Sequence, residues 1–151
     1  MNAPVFGNPD QALIQRFVQQ GGAAMAVDSN PMAQALQSTL LRVDRDLGEV
    51  EIAFEPAGLF IQGTGVLQGG AVTAMLDFAM AFAVLAKLPP QGSCATTNLN
   101  TSFLRAAPRG RYRAIGVVDR CGRTMAFARA QLLEEKTGNL VATASSSLVV
   151  L

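Results

Sequence analysis

The sequence contains no histidine, and this absence excludes several catalytic systems at once. Serine–histidine–aspartate triads, cysteine–histidine pairs and zinc sites built on imidazole all require a histidine side chain. Acid–base chemistry in this chain must therefore use carboxylates. The three consecutive serines at 145–147 have no histidine partner and no Gly-x-Ser-x-Gly turn, so strand packing explains them better than nucleophilic catalysis.

Cysteines and charged residues are also scarce. Cys94 and Cys121 are the two cysteines and form no CxxC spacing, so we expect no disulfide framework and a reducing compartment. Only 15% of the residues are charged while 50% are hydrophobic, which excludes disorder and favours self-association. The first ten residues have no basic region and no apolar run, so we expect no signal peptide and a cytoplasmic location.

Positive charge is concentrated in residues 105–129, which hold seven arginines against a single acid, Asp119. Guanidinium groups suit the phosphates of a nucleotide-like ligand, although a solvated basic face is the alternative for at least half of them. In particular, alternation would place Arg109, Arg111 and Arg113 on one strand face. Nucleic acid is not an expected partner, because few aromatic residues lie near these arginines and the net charge is only +1.

One segment, 69–88, is apolar on every helical face and ends at two prolines, so it predicts a long helix that must be covered on all sides. Its length would permit a membrane span. However, Asp77 near its centre would cost about 2.5–3.5 kcal/mol on insertion scales. Strand-like segments on both sides favour a core helix, and we expect no membrane partner.

The rest of the chain predicts an α+β domain. Residues 8–20 predict a short amphipathic helix, Asn30-Pro31 opens another turn, and 38–55 predicts a hairpin. Four strands follow the long helix, and their short connections predict antiparallel neighbours; these strands are 94–104, 111–119, 124–134 and 140–150. We therefore predict a curved antiparallel sheet wrapped around one long central apolar helix, with an N-terminal helical segment (1–37) packing on a domain of 38–151.

Several motifs resemble hotdog-fold acyl-CoA thioesterases of the phenylacetate-pathway (PaaI-like) type, which are related to 4-hydroxybenzoyl-CoA thioesterases. The likeness covers roughly residues 48–151; its motifs are 62–70, Asp77, 97–100, 103–105, 122–124 and 138–142. The resemblance implies a hotdog fold and hydrolysis of an acyl-CoA thioester without a metal or other cofactor. It also implies a homodimer with two composite sites, often assembled into a dimer of dimers.

The resemblance assigns the central roles to Gly69 and Asp77. In that family a backbone N–H at the position of Gly69 polarises the thioester carbonyl, and an acid at the position of Asp77 acts as base or nucleophile. Both roles agree with the physics, because a helix N-terminus suits a developing oxyanion and burial raises the pKa of a lone carboxyl group. The alternatives are a packing turn for Gly69 and a structural acid for Asp77.

Helix geometry separates these two residues. Asp77 follows Gly69 by eight positions, which is about 12 Å along a helix axis. One helix cannot present both groups to one carbonyl, so a shared site would need Gly69 from one subunit and Asp77 from a second, antiparallel helix. A two-fold dimer supplies that arrangement twice.

The resemblance gives further residues supporting roles. Gln62 and Thr96 match positions that orient the attacking water, although a loop glutamine and an ordinary strand threonine are the alternatives. Substrate contacts are expected from residues beside these motifs, namely Gln68, Gly70, Asn98, Arg105 and Arg123.

Gln68 departs from the family pattern, because it stands where the motif has a histidine. The change leaves the mechanism intact but also leaves open a non-catalytic acyl-CoA-binding protein. A hydratase of this fold pairs a histidine with an acid, so the lack of histidine argues against it. The identity of the acyl group does not follow from the sequence.

Overall fold

The computed structural model describes residues 7–151. Within this range a single antiparallel sheet is accompanied by three α-helices and one short 3₁₀ turn. The elements are, in chain order, α1 (Pro9–Gln19), β1 (Met25–Ala26), α2 (Pro31–Ala35), β2 (Thr39–Asp44), β3 (Glu49–Phe54), the 3₁₀ turn (Gly58–Phe60), α3 (Gly69–Lys87), β4 (Cys94–Phe103), β5 (Tyr112–Cys121), β6 (Met125–Glu134) and β7 (Leu140–Val150).

The amphipathic helix predicted near the N-terminus is confirmed as α1. Asn8 caps it by accepting a hydrogen bond from the Asp10 N–H at 2.9 Å. Its apolar face joins the same hydrophobic core as α3, through Leu13, Ile14 and Phe17. The expectation of no signal peptide, and the start of the 1–37 segment, fall partly on residues 1–6, which lie outside the described residues.

A buried side chain of α1 also holds the end of α3. The Nε2 group of Gln11 is 3.0 Å from the Leu85 carbonyl oxygen and 3.2 Å from that of Gly92, and it can donate to both. The Leu85 carbonyl also accepts from the Leu88 N–H at 3.1 Å, and Gly92 lies in the loop after α3, so Gln11 joins the last turn of the helix to that loop. The N-terminal segment is thereby tied to the central helix.

The strand order in the sheet is β1-β2-β3-β5-β6-β7-β4. The predicted hairpin is confirmed as β2–β3, and β5, β6 and β7 form the expected meander. The prediction that all four strands after the long helix are sequential neighbours is wrong, because β4 pairs with β7 and not with β5. The connection between β4 and β5 instead pairs with the segment before α3, through a Leu67 N–H to Ala107 carbonyl bond of 2.7 Å, and delivers β5 to the free edge of β3.

This topology leaves β4 at one edge of the sheet. Its ten residues have one hydrogen-bonded neighbour, β7, within the described part of the chain. A long exposed edge strand carries unpaired backbone groups that can pair with another strand. The edge lies next to α3, where Thr96 and Thr101 of β4 contact the helix.

The helix α3 lies directly against β5. A Cβ atom at Gly116 would be 2.2 Å from the Ala79 carbonyl oxygen and 2.4 Å from its carbonyl carbon, so only glycine permits this approach. By length and composition alone α3 could cross a membrane, but 61% of its most apolar 18-residue window is buried within the chain, as in a core helix.

The expectation that α3 is covered on every side is wrong for the single chain. One side of the helix remains half-exposed, and we call it the open stripe; it consists of Thr73, Ala74, Asp77, Phe78 and Ala81. The stripe lies beside the edge strand β4, whose Thr96 and Thr101 contact Asp77 and Thr73. The apolar helix is thus covered within the chain except along this stripe.

Candidate functional site

The N-terminus of α3 presents two open backbone donors. Gln68 is the N-cap residue in an extended conformation, with φ −60° and ψ 137°, and its side chain makes no capping bond. Within residues 7–151, the N–H groups of Gly69 and Gly70 donate to no other atom. A Cβ atom at Gly70 would meet nothing within 4 Å, so a ligand can approach this backbone closely. Open N–H groups and the positive end of the helix dipole favour an anion here.

A surface cavity of about 520 Å³ adjoins this helix end. Its lining includes Gly69, Gln62, Phe103 and Arg105. The side-chain oxygen of Gln62 accepts a hydrogen bond from the Thr64 N–H at 2.8 Å, which leaves its amide nitrogen as the group that can donate to a ligand. Three of the residues predicted from the sequence therefore lie together around one cavity.

Phe103 forms one wall of that cavity and contacts the helix start. Its ring carbon Cζ is 3.3 Å from the position that a Cβ atom would take at Gly69. The side chain is 57% exposed, so the ring packs on the glycine from the solvent side. Glycine at 69 therefore makes room for an aromatic wall as well as for a ligand.

Asp77 lies two turns further along α3 and is bound to Thr96. The Thr96 hydroxyl donates to Asp77 Oδ1 at 2.8 Å. Burial raises the pKa of Asp77, and the hydrogen bond from Thr96 offsets part of this rise. The two residues predicted to act together are thus in direct contact, and the carboxyl group is half-buried on the open stripe.

The nearby thiol is a poor nucleophile. Burial raises the pKa of Cys94 to about 12, with a further contribution from the charge of Asp77, so the thiol is protonated near neutral pH. Within the described residues, no group of three His, Cys, Asp or Glu side chains is placed to hold a metal ion. Asp77 is therefore the reactive side chain that this region offers.

One polar contact on this surface did not figure among the predicted site residues. The hydroxyls of Thr73 on α3 and Thr101 on β4 are 3.2 Å apart. The spacing could have revealed it, because positions 69, 73 and 77 are four residues apart and share one side of a helix. Thr73 lies midway between the two expected catalytic positions.

The two halves of the expected site do not meet within one chain. Gln62, Gly69 and Arg105 surround the cavity at the start of α3, whereas Asp77 and Thr96 lie about 12 Å further along the helix axis. Both halves open on the same side of α3, toward the exposed edge of the sheet. One protomer therefore contains two complementary half-sites.

Two predicted substrate contacts lie away from both halves. The first of these is Asn98. In the β4–β7 ladder Thr96 pairs with Leu148, and a register shift after Thr96 makes Asn98 pair with the neighbouring Ser147. Neighbouring β7 residues point to opposite sheet faces, so Asn98 leaves the sheet on the face opposite to Asp77. Arg123 lines a different cavity, at the turn between β5 and β6, together with Arg120.

The remaining arginines are divided between ion pairs and open surface. Arg111 pairs with Glu135 at 3.2 Å, and Arg113 forms an ion pair with the mostly buried Glu51. Arg109, Arg111 and Arg113 were expected on one strand face, but only Arg113 lies in β5. Within residues 7–151, Arg105 and Arg123 form no ion pair, so their guanidinium groups remain open to a ligand.

Comparison with known proteins identifies the family of the chain. Residues 64–141, slightly more than half of the sequence, match the family model described as the thioesterase superfamily. Among curated protein sequences, none matches the chain.

Solved structures agree with the family match. A phenylacetic acid degradation-related protein from Ralstonia eutropha JMP134 is 34% identical, with a TM-score of 0.77 over 89% of this chain and 97% of its own. A thioesterase family protein from Silicibacter pomeroyi has a TM-score of 0.77 at 22% identity, over 95% and 98% of the two chains. The PaaI protein of Escherichia coli has a TM-score of 0.75 at 14% identity, over 95% of each chain.

The last two likenesses show the fold, while the match to the family model and the relative from Ralstonia eutropha show the family. The curved sheet around one central helix confirms the predicted hotdog architecture. The chain therefore belongs to the thioesterase superfamily, as a PaaI-like member with the hotdog fold.

Proposed function

We propose that the protein hydrolyses an acyl-CoA thioester, releasing a free acid and coenzyme A. The observation that carries this proposal is that α3 has a free N–H at Gly69 and, two turns further along, a partly desolvated carboxyl group at Asp77. An electrophilic carbonyl needs both an oxyanion donor and a base or nucleophile. The two groups are too far apart in one chain, so the proposed site takes Gly69 from one subunit and Asp77 from its partner.

The partner is proposed to dock along β4 and the open stripe. The unpaired edge of β4 can pair with its own copy in an antiparallel fashion, and this would bring two α3 helices side by side. The half-exposed Phe78 and the alanines of the open stripe would become buried in the same contact. A two-fold arrangement yields two equivalent sites in each dimer. Two such dimers are proposed to associate into a dimer of dimers.

In the proposed reaction the Gly69 N–H donates to the thioester oxygen as negative charge develops on it. The Asp77 carboxylate either removes a proton from the attacking water or attacks the carbonyl carbon itself. The carbon–sulfur bond breaks, and the thiolate of coenzyme A leaves and takes up a proton. A pKa raised by burial makes the Asp77 carboxylate a stronger base than an exposed aspartate.

Arg105 is the arginine proposed to meet a phosphate of coenzyme A, which the pantetheine arm separates from the reacting carbonyl. It lines the same cavity as Gly69 and Gln62 and has no acidic partner among the described residues. Arg123 would serve a phosphate only from the separate cavity beside Arg120. Measuring KM for coenzyme A thioesters after Arg105→Ala and after Arg123→Ala compares the two positions.

The proposal is tested by substituting Asp77. We expect Asp77→Asn and Asp77→Ala to abolish thiol release across a panel of short, medium, long and aromatic acyl-CoAs. Asp46→Asn, which alters an exposed acid in the turn between β2 and β3, is the matched control and should keep full turnover. Unchanged turnover in the Asp77 variants would contradict the proposal.

A single turnover in ¹⁸O-labelled water detects direct attack by Asp77. Direct attack forms an acyl anhydride, and water attacking its aspartyl carbon leaves ¹⁸O on Asp77, which general-base catalysis cannot do. Label in the released acid alone fits general-base catalysis and also an anhydride opened at its acyl carbon. Mass spectrometry of the peptide that contains Asp77 reads the difference.

A second candidate function is binding of acyl-CoA without turnover. The observation that favours it is Gln68, whose exposed side chain makes no capping bond at the position where the family motif has histidine. Tight binding of several acyl-CoAs by the native chain, with no thiol release from any of them, would support this function and exclude hydrolysis.

A further inference from the structure

Thr73 is a polar side chain in an otherwise apolar helix, and the proposed reaction does not use it. Apart from Asp77 and the terminal Lys87, it is the only residue of α3 with a polar side chain. It is half-buried on the open stripe, and its hydroxyl is 3.2 Å from that of Thr101 on the edge strand β4. A polar group held at a surface that is otherwise apolar is suited to fixing the alignment of a partner.

Symmetry gives Thr73 a special position. A two-fold axis that brings Gly69 of one subunit beside the carboxyl group of Asp77 in the other exchanges positions 69 and 77. The axis must then pass midway between them, at position 73. Thr73 is the one residue of this series that would face its own copy.

The edge strand fits the same axis. Asp77 contacts Thr96, Thr73 contacts Thr101 and Gly69 lies against Phe103, so α3 and β4 run in opposite directions along this surface. Exchanging the two ends of this segment centres a β4–β4 pairing at Leu99 and Asn100, within two residues of Thr101. The same axis therefore passes by Thr73 on the helix and close to Thr101 on the strand.

We propose that Thr73 is a positioning residue on the two-fold axis, where it meets the partner subunit's Thr73 and sets the register of the paired helices. This inference rests on the proposed composite site. Each hydroxyl can donate one hydrogen bond and accept others, so the four threonines 101, 73, 73 and 101 can form one continuous chain across the interface. Apart from the carboxyl group of Asp77, the alanine-rich surface on either side offers no polar side chain to oppose a slip.

Register matters because the composite site depends on it. A slip of one residue shifts one helix past the other by about 1.5 Å. A misplacement of about 1 Å can cost about 100-fold in rate. Thr73 would therefore act on catalysis through the relative position of Gly69 and Asp77 without touching the substrate.

Cysteine cross-linking tests the position of the axis. In a background with Cys94→Ala and Cys121→Ala, we expect Thr73→Cys to form a covalent dimer under mild oxidation, because a residue on the axis comes within disulfide distance of its copy, about 4.4–6.8 Å between Cα atoms. Ala81→Cys is the control on the same stripe. Its two copies would be about 24 Å apart along the helices, so it should remain monomeric on a non-reducing gel.

Failure of Thr73→Cys to cross-link, or faster cross-linking of Ala81→Cys, would overturn the proposal. The assay uses no substrate, so it is separate from the test of hydrolysis. Cross-linking at 73 in a protein that hydrolyses no acyl-CoA would leave the register standing and the proposed function refuted. Loss of activity in Asp77→Asn without cross-linking at 73 would support the proposed function and refute the proposed register.

Removal of the hydroxyl tests its role in catalysis. We expect Thr73→Val to lower kcat by about 10-fold or more with little change in KM, because the site is misaligned while the binding cavity is intact. Thr73→Ser should restore kcat, and Thr143→Val on the outer face of β7 should leave it unchanged. A Thr73→Val enzyme with native kcat, or a serine variant that fails to recover it, would contradict a positioning role.

Discussion

Replacing Gly69 with proline removes the backbone N–H that the account places at the thioester carbonyl. The fold should tolerate this change, because position 69 is the first residue of α3, where proline is favoured and no intrahelical bond is lost. The preceding residue, Gln68, already has the extended ψ of 137° that a following proline requires. The substitution therefore isolates one donor at little conformational cost.

Gly69→Ala is the matched control. Both substitutions add a Cβ atom that meets the exposed ring of Phe103 at 3.3 Å, and the ring can shift toward solvent by a few tenths of an ångström. Alanine keeps the N–H while proline lacks it. The ratio of the two rates thus removes the effect of the shared Cβ atom and reports the replacement of the N–H by the ring carbon of proline.

The expected loss follows from the chemistry of oxyanion donors. Removing one such donor costs about 100- to 1000-fold in kcat, or about 2.7–4 kcal/mol of transition-state stabilisation. We expect Gly69→Pro to show this loss relative to Gly69→Ala, with KM little changed, because the donor acts mainly on the developing charge.

Initial rates of thiol release, with the acyl-CoA that the native enzyme prefers, measure the effect. Thermal melts should show both variants folded to similar temperatures. Equal kcat values for the proline and alanine variants would refute the role assigned to the Gly69 N–H.

Three further predictions concern Asp77 and the packing of α3. Thr96→Val removes the hydrogen bond that lowers the pKa of Asp77, so the acid limb of the pH–rate profile should move to higher pH; Thr97→Val is the control, and an unmoved limb would contradict the coupling. Burial raises the pKa of Asp77 in the folded protein above its ordinary 3.8, because the folded state favours the protonated carboxyl group. The resulting contribution to the free energy of unfolding is complete below pH 3.8 and is lost as the pH rises through the folded pKa. Asp77→Asn should therefore melt above the native protein at pH 7 and near it below pH 3.8, and a lower melting temperature at pH 7 would show that the carboxylate is well solvated or paired. Gly116→Ala places a methyl group 2.2 Å from the Ala79 carbonyl oxygen and should cost about 1–3 kcal/mol in urea unfolding, whereas Gly110→Ala, with open space around it, should cost little; equal midpoints would contradict the close packing of α3 on β5.

The architecture could be predicted from the sequence because its signals are local. Asn8-Pro9 and Asn30-Pro31 start the helices predicted there, and the apolar run 69–88 gives α3 to within one residue. The four later strands also appear within two residues of their predicted ends. Capping residues, glycine turns and apolar periodicity act over a few positions, so they can be read from the chain itself.

The placement of β4 could not be predicted in the same way. A short connection between β4 and β5 favours neighbours, but β5 instead fills the edge of β3 while the connection pairs with the residues before α3. Such pairing depends on contacts far apart in sequence. The role of Gln11 at the end of α3 was missed for the same reason, since Gln11 and Leu85 are 74 positions apart.

The candidate site was predicted in part. The contact between Thr96 and Asp77, and the shared cavity of Gln62, Gly69 and Arg105, follow the motif positions. The distant placement of Asn98 does not, because a shift in the β4–β7 ladder turns its side chain to the other face. Periodicity also overstated the burial of α3, since it cannot distinguish a face covered by the same chain from one left open for a partner.

Mixing two inactive variants tests the central claim most directly, namely that Gly69 and Asp77 act across a subunit interface. When Asp77→Asn and Gly69→Pro subunits are unfolded, combined in equal amounts and refolded, each mixed dimer regains one intact site, with the native Gly69 of one subunit and the native Asp77 of the other. About half of the dimers are mixed at random, so the account predicts recovery of about one quarter of the native thiol-release activity. Activity no higher than that of the two variants refolded separately, in a mixture shown to contain mixed dimers, would contradict it.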